Sequence, residues 1–292
     1  MMTSATVRDA LRRALPFTAW QTAGFVKRLP SYWRIDRSQV LGFRECVRGL
    51  PLCVTDSVSV FPPEESVVVY LAWQYHGVEI NESSREARDF LILAKDRRAL
   101  LDVGAQTGFM SALFARSRRH PASILSVEPD LQCLPFLKKA VDLNGGGDID
   151  WEIATVAVSD SSGRFSLPLG NWFYASALMK SKNPGKIEVE SKALADLVAG
   201  MSWQPDIIKI DTESFEYEII CPALGVFERL RPALQLEVHW EMLAARGRAA
   251  ADFLGPLADM GYRGIRRRYR DYDAWQRAGR SEAVSRIALE PS

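Results

Sequence analysis

The sequence predicts a Rossmann-like α/β fold built on a mostly parallel sheet. From Arg98 onward, short apolar runs of strand length alternate with helix-forming segments, which is typical of parallel strands covered by helices on both faces. The first two apolar runs end at acidic residues, Asp102 and Glu128, and a G-x-x-x-G segment lies between them. Ligands of open α/β sheets bind at the carboxyl ends of the strands, so these acids mark the predicted site.

The predicted core elements follow in a regular order. Core strands are predicted at residues 99–103, 124–127, 151–158, 207–210 and 234–238, and helices at 109–118, 131–143, 193–198 and 246–260. Shorter strands are predicted at residues 164–167, 186–190 and 284–289. An irregular, aromatic-bearing segment at 168–184 is expected to help shape the acceptor pocket.

The first 95 residues show no such alternation. Prolines interrupt them, and short strands are predicted there only at residues 54–61 and 67–70. We therefore divide the chain into an N-terminal extension, residues 1–95, and an α/β domain, residues 96–292. The extension is expected to serve as a lid or as a homo-oligomer contact. Its basic opening fits a solvated helix packed on the domain or a segment that touches an anionic membrane surface.

The composition is that of an ordinary globular protein. The chain has 292 residues, 47% of them hydrophobic and 25% charged. The net charge of +1 gives no reason to expect nucleic acid as a partner. The sequence contains no apolar run of transmembrane length and no secretory signal, so we expect a cytoplasmic protein without a transmembrane segment.

The cysteines and histidines form no local metal or disulfide pattern. They lie at Cys46, Cys53, Cys133, Cys221, His76, His120 and His239. No C-x-x-C or H-x-x-x-H spacing occurs, which favours buried thiols in a reducing compartment.

The G-x-x-x-G segment follows the first predicted strand. Gly104 and Gly108 would let backbone N–H groups and a helix N-terminus approach a ligand closely, and Asp102 could receive a positively charged amino group. For the glycines alone, a tight turn with close helix–strand packing explains the pattern equally well.

Glu128 and Pro129 follow the second predicted strand. In doubly wound folds a carboxylate about 20 residues beyond the glycine loop accepts the ribose hydroxyls of a nucleotide. A solvated acid at a strand end is the simpler alternative, but the glycine loop before Glu128 favours ribose binding.

The segment 157–160 follows the third predicted strand. Val158 could pack on an adenine ring and Asp160 could accept a hydrogen bond from its exocyclic amine. Asp160 is equally suited to begin a turn.

Three carboxylates follow the fourth predicted strand, at Asp211, Glu213 and Glu216. Asp211 and Glu213 could orient a hydroxyl group, take its proton or bind a divalent cation, although no metal site is predicted. Glu216 is expected only to complement a helix dipole.

The fifth predicted strand ends in Glu237 and His239, which strand alternation places on one side of the sheet. His239 could act as a base near neutral pH, or it could be structural. The arginine-rich run at 266–270 is expected to be a solvated charge run, with a phosphate-bearing acceptor as the weaker alternative.

Together these motifs resemble the FkbM family of methyltransferases over roughly residues 98–242. The matching segments are LLDVGAQTGFMS (100–111), SVEPD (126–130), AVSD (157–160), IIKIDTESFE (207–216) and LQLEVHW (234–240). The family usually has Asn in place of Gln106, Val in place of Thr212 and Gly in place of Ser214.

The resemblance implies a class I methyltransferase fold, with a mostly parallel seven-stranded sheet and helices on both faces. It implies S-adenosylmethionine as the methyl donor and O-methylation of a hydroxyl on a sugar, glycolipid or polyketide-type small molecule. The implied cofactor residues are Asp102, Gly104, Gly108, Glu128, Pro129, Val158 and Asp160, and the implied catalytic residues are Asp211, Glu213 and His239.

Two other functions are open at this stage. The substitutions at Gln106, Thr212 and Ser214 are compatible with a catalytically altered methyltransferase fold that serves as a binding or scaffold subunit. A nicotinamide-dependent oxidoreductase is disfavoured because the G-x-G-x-x-G pattern is missing.

Overall fold

The computed structural model describes residues 77–292 except 107, 119, 132 and 169–185. Its strands are β1 Ala99–Val103, β2 Ala122–Val127, β3 Ile149–Ala154, β4 Ala157–Ser159, β5 Gly163–Pro168, β6 Lys186–Ala193, β7 Ile207–Ile210, β8 Ala233–His239, β9 Tyr262–Gly264 and β10 Val284–Pro291. Its α-helices are α1 Gly77–Ala94, α2 Phe109–Ser117, α3 Leu134–Asn144, α4 Leu194–Ala199, α5 Glu216–Ile220, α6 Leu224–Leu230, α7 Trp240–Ala245, α8 Ala251–Asp259 and α9 Tyr272–Ala278.

Seven strands form the central sheet in the order β3-β2-β1-β7-β8-β10-β9. The first five of these pair in parallel, and β10 runs antiparallel to both β8 and β9. The predicted mostly parallel seven-stranded sheet is therefore confirmed. The strand order reverses at β1, whose two neighbours are β2 and β7, and that reversal is where such sheets open a ligand crevice.

Alternate side chains of the buried strands supply two hydrophobic clusters, one on each face of the sheet. Leu101, Ile208 and Leu236 face a cluster that includes α6 and α8, whereas Leu100 and Ile207 face a cluster that includes α1, α2 and α3. Period-two alternation along a strand buried on both sides produces this division. Helices on both faces, as predicted, are thus confirmed.

The third predicted strand, 151–158, is wrong as a single strand. The segment divides into β3, which ends at Ala154 in the main sheet, and β4, which pairs with β6 in a separate three-stranded sheet ordered β4-β6-β5. The apolar residues Val156, Ala157 and Val158 continue the strand pattern across the break, so the sequence gives little sign of it.

The helix predicted at 246–260 begins later than expected. Arg246 instead follows the end of α7, and Gly247 adopts a left-handed φ of 69° before α8 begins at Ala251. A left-handed glycine just after a helix is a common way to end it.

Helix α1 falls within the segment for which no regular alternation was predicted. Ala87, Phe90 and Ala94 form a buried stripe at helical spacing, and the Phe90 ring lies 6.4 Å from that of Phe114 in α2. Residues 87–94 therefore pack on the α/β domain, and the division at residue 95 stays a prediction. The strands predicted at 54–61 and 67–70 and the segment 168–184 lie outside or almost wholly outside the described residues.

Candidate active site

The glycine loop after β1 is shaped by protein packing. Gly104 and Gly108 have φ values of 78° and 81°, which disfavour other residues. A Cβ atom on Gly104 would collide with the backbone carbonyl of Asp211, and one on Gly108 would lie 2.6 Å from Cδ1 of Leu137. The tight-turn interpretation of these glycines therefore holds, and the loop that it builds touches the end of β7.

Glu128 is joined directly to this loop. Its Oε2 accepts a hydrogen bond of 2.8 Å from the Gln106 backbone N–H, and its Oε1 accepts one of 2.8 Å from that of Asp130. Burial raises the pKa of Glu128 to about 7 despite these two bonds. The glycine loop and the acid after β2 are thus hydrogen-bonded to each other, and ribose binding by Glu128 stays a prediction.

Asp102 is fully buried and held by side chains. Ser111 Oγ donates to its Oδ2 at 2.6 Å, and Lys209 Nζ lies 3.4 Å from its Oδ1. Oδ1 itself has no hydrogen-bond partner within the part of the chain that the structure describes. Oδ1 therefore has the Lys209 ammonium beside it as an ion pair, without a formed hydrogen bond, and it can accept one from a further cationic group.

Lys209 links the two ends of the site, and the sequence analysis did not single it out. Its Nζ donates to the Gly104 carbonyl at 3.1 Å and lies 3.3 Å from Asp211 Oδ2. Burial alone would lower the pKa of Lys209, but the charges of Asp211 and Asp102 raise it, so the ammonium stays charged. A lysine inside the apolar strand IIKI was the available signal, because a buried lysine needs carboxylate partners.

Asp211 and Glu237 meet at the carboxyl ends of β7 and β8. Burial would raise the pKa of Asp211, but Lys209 and a hydrogen bond from Glu237 lower it to about 2. Burial and the Asp211 charge raise the pKa of Glu237, so Glu237 carries the shared proton. Arg286 Nη2 lies 2.6 Å from Glu237 Oε1, and its Nε lies 3.0 Å from Oε2 of Glu86 in α1.

His239 is placed between two carboxylates. Its Nδ1 lies 2.8 Å from Glu216 Oε1 and its Nε2 lies 3.5 Å from Glu213 Oε2. Burial would lower the pKa of His239, but Glu216 and Glu213 raise it; burial raises the pKa of Glu213 to about 7. Glu216 begins α5, where it was expected only to complement the helix dipole. Its buried carboxylate also accepts a hydrogen bond from the Ser214 N–H and binds His239.

Val158 and Asp160 lie apart from this group. Val158 is in β4 and is buried in the hydrophobic core, whereas Asp160 is exposed and accepts a hydrogen bond from Ser161 Oγ at 3.0 Å. Because β3 ends at Ala154, the residues just beyond its carboxyl end are Thr155 and Val156. The expectation that 157–160 directly follows the third strand is wrong, and contact of Val158 or Asp160 with a cofactor stays a prediction.

A model of the methyltransferase FkbM domain matches residues 102–263, which is more than half of the chain. The chain belongs to the FkbM methyltransferase family. The matched range contains the glycine loop and all the strand-end acids described above. No curated protein matches the chain significantly in sequence.

Solved structures of other methyltransferases resemble the chain only distantly. The FkbM methyltransferase from Methylobacillus flagellatus KT has 13% identity and a TM-score of 0.35, covering 74% of this chain and 49% of its own. This chain thus spans about half the length of that protein. A geranyl diphosphate methyltransferase in complex with SAM has 9% identity and a TM-score of 0.39, covering 84% and 98%. The ribosomal protein L11 methylase from Lactobacillus delbrueckii subsp. bulgaricus has 12% identity and a TM-score of 0.37, covering 73% and 79%.

The three departures from the usual FkbM pattern have visible consequences. Gln106 and Ser214 have left-handed φ values of 52° and 83°, a conformation that the usual Asn and Gly adopt more readily. Glu213 is also left-handed at 52°, so this FkbM protein carries a strained turn after β7. The Thr212 hydroxyl is buried without a hydrogen-bond partner among the described residues, in the space that Val usually fills.

Arg246 anchors the strained turn. Its guanidinium donates to the Ser214 carbonyl, pairs with Glu218 Oε1 at 2.9 Å and lies 4.1 Å from the centroid of the Phe215 ring.

Among the helices that the structure describes, none has the length and apolar character needed to cross a bilayer.

Proposed function

We propose that this FkbM protein transfers the methyl group of S-adenosylmethionine to a hydroxyl of a sugar, glycolipid or polyketide-type small molecule. The observation that carries the proposal is the contact between two acidic regions of the site. Gly104, in the loop that holds Glu128, packs against the backbone of Asp211, which begins the turn carrying Glu213. A cofactor bound at the loop would therefore lie beside groups that can accept a proton.

The residues after β1 and β2 suit the chemistry of S-adenosylmethionine. The carboxylate of Glu128 can accept the ribose hydroxyls, with Pro129 beside it, and the orphaned Oδ1 of Asp102 can receive the methionine ammonium group, directly or through water. The loop from Gly104 to Gly108 leads into α2, whose N-terminus adds a partial positive charge toward a carboxylate. When bound, S-adenosylmethionine supplies an activated methyl group.

The adenine end of the cofactor is assigned to the segment that follows β3. Val158 and Asp160 remain candidates through the segment that leaves β3. Thr155, which is exposed just beyond the end of β3, lies where an adenine ring would be expected in this topology. We therefore add Thr155 to Val158 and Asp160 in the proposed adenine contact.

The acceptor end must hold a hydroxyl and remove its proton. Methyl transfer from a sulfonium to an alcohol forms a carbon–oxygen bond, breaks a carbon–sulfur bond and releases one proton. We assign Asp211 to orientation of the hydroxyl and the Glu213–His239 pair to acceptance of the proton. The Glu216 carboxylate fixes Nδ1 of His239 as the donor, so Nε2 faces Glu213 and the acceptor.

Isotope-labelled S-adenosylmethionine and a panel of hydroxyl acceptors test the proposal. We expect methyl transfer to at least one acceptor by the wild type and a loss of about 100-fold or more in kcat for Glu213→Gln. Glu241→Gln changes an exposed acid at the start of α7 and serves as the matched control. Binding of S-adenosylhomocysteine without transfer to any acceptor would favour a scaffold subunit instead.

A further inference from the structure

Asp211 and Glu237 bring two carboxylates together near the carboxyl ends of β7 and β8. Carboxylate oxygens of Asp211 and Glu237 lie within 4.8 Å of one another. Two carboxylates this close repel one another unless a proton or a cation lies between them. One atom each from Asp211, Glu237 and His239 lies within 4.8 Å of the other two, which leaves room for an ion at the centre.

The balance of charge around this cluster is negative. Six acids are connected by ion pairs to two permanent cations, Lys209 and Arg286, and to His239, which is a third cation when protonated; the acids are Glu86, Asp102, Asp211, Glu213, Glu216 and Glu237. Lys209 and Arg286 each contact two of these acids. A divalent cation would reduce the excess negative charge in the cluster, which burial makes costly.

His239 is held as metal-bound histidines are held. Its Nδ1 is bonded to Glu216, a carboxylate with no exposed surface, and this leaves Nε2 available as a ligand. A carboxylate behind a histidine fixes the ring and increases the basicity of its other nitrogen. Nε2 faces the solvent-accessible Glu213 carboxylate at 3.5 Å, on the side of the ring away from Glu216.

Buried polar atoms without partners lie around the same cluster. Glu216 Oε2 and both polar atoms of the Gln235 side chain have no hydrogen-bond partner within the described part of the chain. Gln235 is on the same face of β8 as Glu237 and is paired in register with Lys209. A hydrated cation would bring the water molecules that such orphaned atoms need.

From these observations we propose that Asp211, Glu237 and His239 bind a hydrated divalent cation of the Mn²⁺ and Mg²⁺ class. Two carboxylates and one imidazole are a donor set that such ions accept, with water in the remaining positions. The side chain of Asp211 is 26% exposed and that of Glu213 is 29% exposed, so solvent reaches the site.

The role of the ion rests on the proposed methyl transfer. A cation at this position would bind the acceptor oxygen and favour its ionised form. With His239 as a ligand, the proton of the hydroxyl passes to Glu213. When the cation is bound, Glu213 is therefore the member of the Glu213–His239 pair that accepts the proton.

Titration of the whole protein with Mn²⁺ tests the site, with calorimetry for affinity and electron paramagnetic resonance for the bound ion. We expect binding tighter than about 1 mM. Asp211→Asn and Glu237→Gln should each weaken it by about tenfold or more, whereas the control Glu241→Gln should not. Two variants are used so that failure of one to fold leaves the test intact.

Titration with S-adenosylhomocysteine in the presence of a chelator separates this proposal from the proposed function. Cofactor binding by the wild type without any Mn²⁺ binding would overturn the cation site and leave methyl transfer standing. Mn²⁺ binding that neither variant weakens would place the ion elsewhere and would also overturn the site. Mn²⁺ binding without cofactor binding would support the site and count against the proposed function.

Discussion

The two ends of the site are held together by different means. At the cofactor end, Glu128 is fixed by backbone N–H groups of Gln106 and Asp130, which lie 22 and 2 positions away in sequence. At the acceptor end, Asp211, Glu237 and His239 are fixed by other charged side chains from α1, α5, β7 and β10. The cofactor end is therefore a local backbone motif, and the acceptor end is a long-range charge network.

The largest effect of a substitution is expected at Lys209, which contacts both ends of the site, and it should appear in the free energy of unfolding. Lys209→Met removes the ammonium between Asp102 and Asp211 and leaves both carboxylates buried without it. We expect a loss of about 3–5 kcal/mol in the free energy of unfolding, measured by urea denaturation. Lys192→Met is the control, at a partly exposed lysine of β6 that pairs only with Glu190 at the surface, and should change this free energy by about 0.5 kcal/mol or less. If Lys209→Met lowered the free energy of unfolding no more than Lys192→Met does, Lys209 would not stabilise the contact between the two ends.

A substitution of Glu128 should have a smaller effect, limited to the affinity for the cofactor. Glu128→Gln keeps the shape of the side chain but removes the charge that would accept the ribose hydroxyls. We expect the affinity for S-adenosylhomocysteine to fall by about 10- to 100-fold, measured by calorimetry. Glu152→Gln, at an exposed acid of β3, should leave the affinity unchanged. Equal affinity of Glu128→Gln and the wild type would remove Glu128 from the site.

The same end should respond to pH. Burial raises the pKa of Glu128 to about 7, so the ionised form that accepts hydrogen bonds is complete only above that pH. Affinity for S-adenosylhomocysteine should rise by up to about tenfold per pH unit below 7 and level off above it. The free energy of unfolding should change with pH in the opposite direction. Because the pKa of Glu128 is raised in the folded protein, its protonation stabilises the native state fully below the usual glutamate pKa, and this stabilisation is lost as the pH rises to 7.

Comparing the pH profiles of the wild type and Glu128→Gln isolates this group. The variant lacks the titrating carboxyl, so below pH 7 the logarithm of its affinity should change less with pH than that of the wild type, by up to about one unit per pH unit. Parallel profiles would assign the pH dependence to another residue.

The smallest effect is expected in the turn at the acceptor end. Ser214 has a φ of 83°, and Ser214→Gly should relieve strain and stabilise the protein by about 0.5–1 kcal/mol in thermal or urea unfolding. Ser161→Gly, at an exposed serine outside the left-handed region, should instead be neutral or destabilising. Destabilisation by Ser214→Gly would mean that the serine side chain stabilises the turn more than its backbone strains it.

The contrast between the ends also explains what the sequence could predict. The loop and Glu128 were predictable because a glycine spacing, a strand end and a nearby acid recur at fixed short separations. Alternation along β8 correctly placed Glu237 and His239 on one side. Strand boundaries such as Ile207–Ile210 followed from apolar runs with clear ends, whereas the break after Ala154 had no such signal.

The charge network was not predictable in the same way. Glu86, Glu237 and Arg286 come together only because α1, β8 and β10 pack side by side. The pairing of His239 with Glu216 depends on the angle at which α5 leaves the turn after β7. A charged residue in sequence shows that a partner is needed, but only the tertiary fold selects which partner it is.

The proposed methyl transfer requires one cofactor to lie between these two ends, and a crystal structure with S-adenosylhomocysteine bound tests this requirement most directly. It predicts that the ribose hydroxyls lie within hydrogen-bond distance of Glu128 and that the sulfur faces Asp211 and His239. A cofactor bound elsewhere, or one whose sulfur points away from β7 and β8, would contradict it.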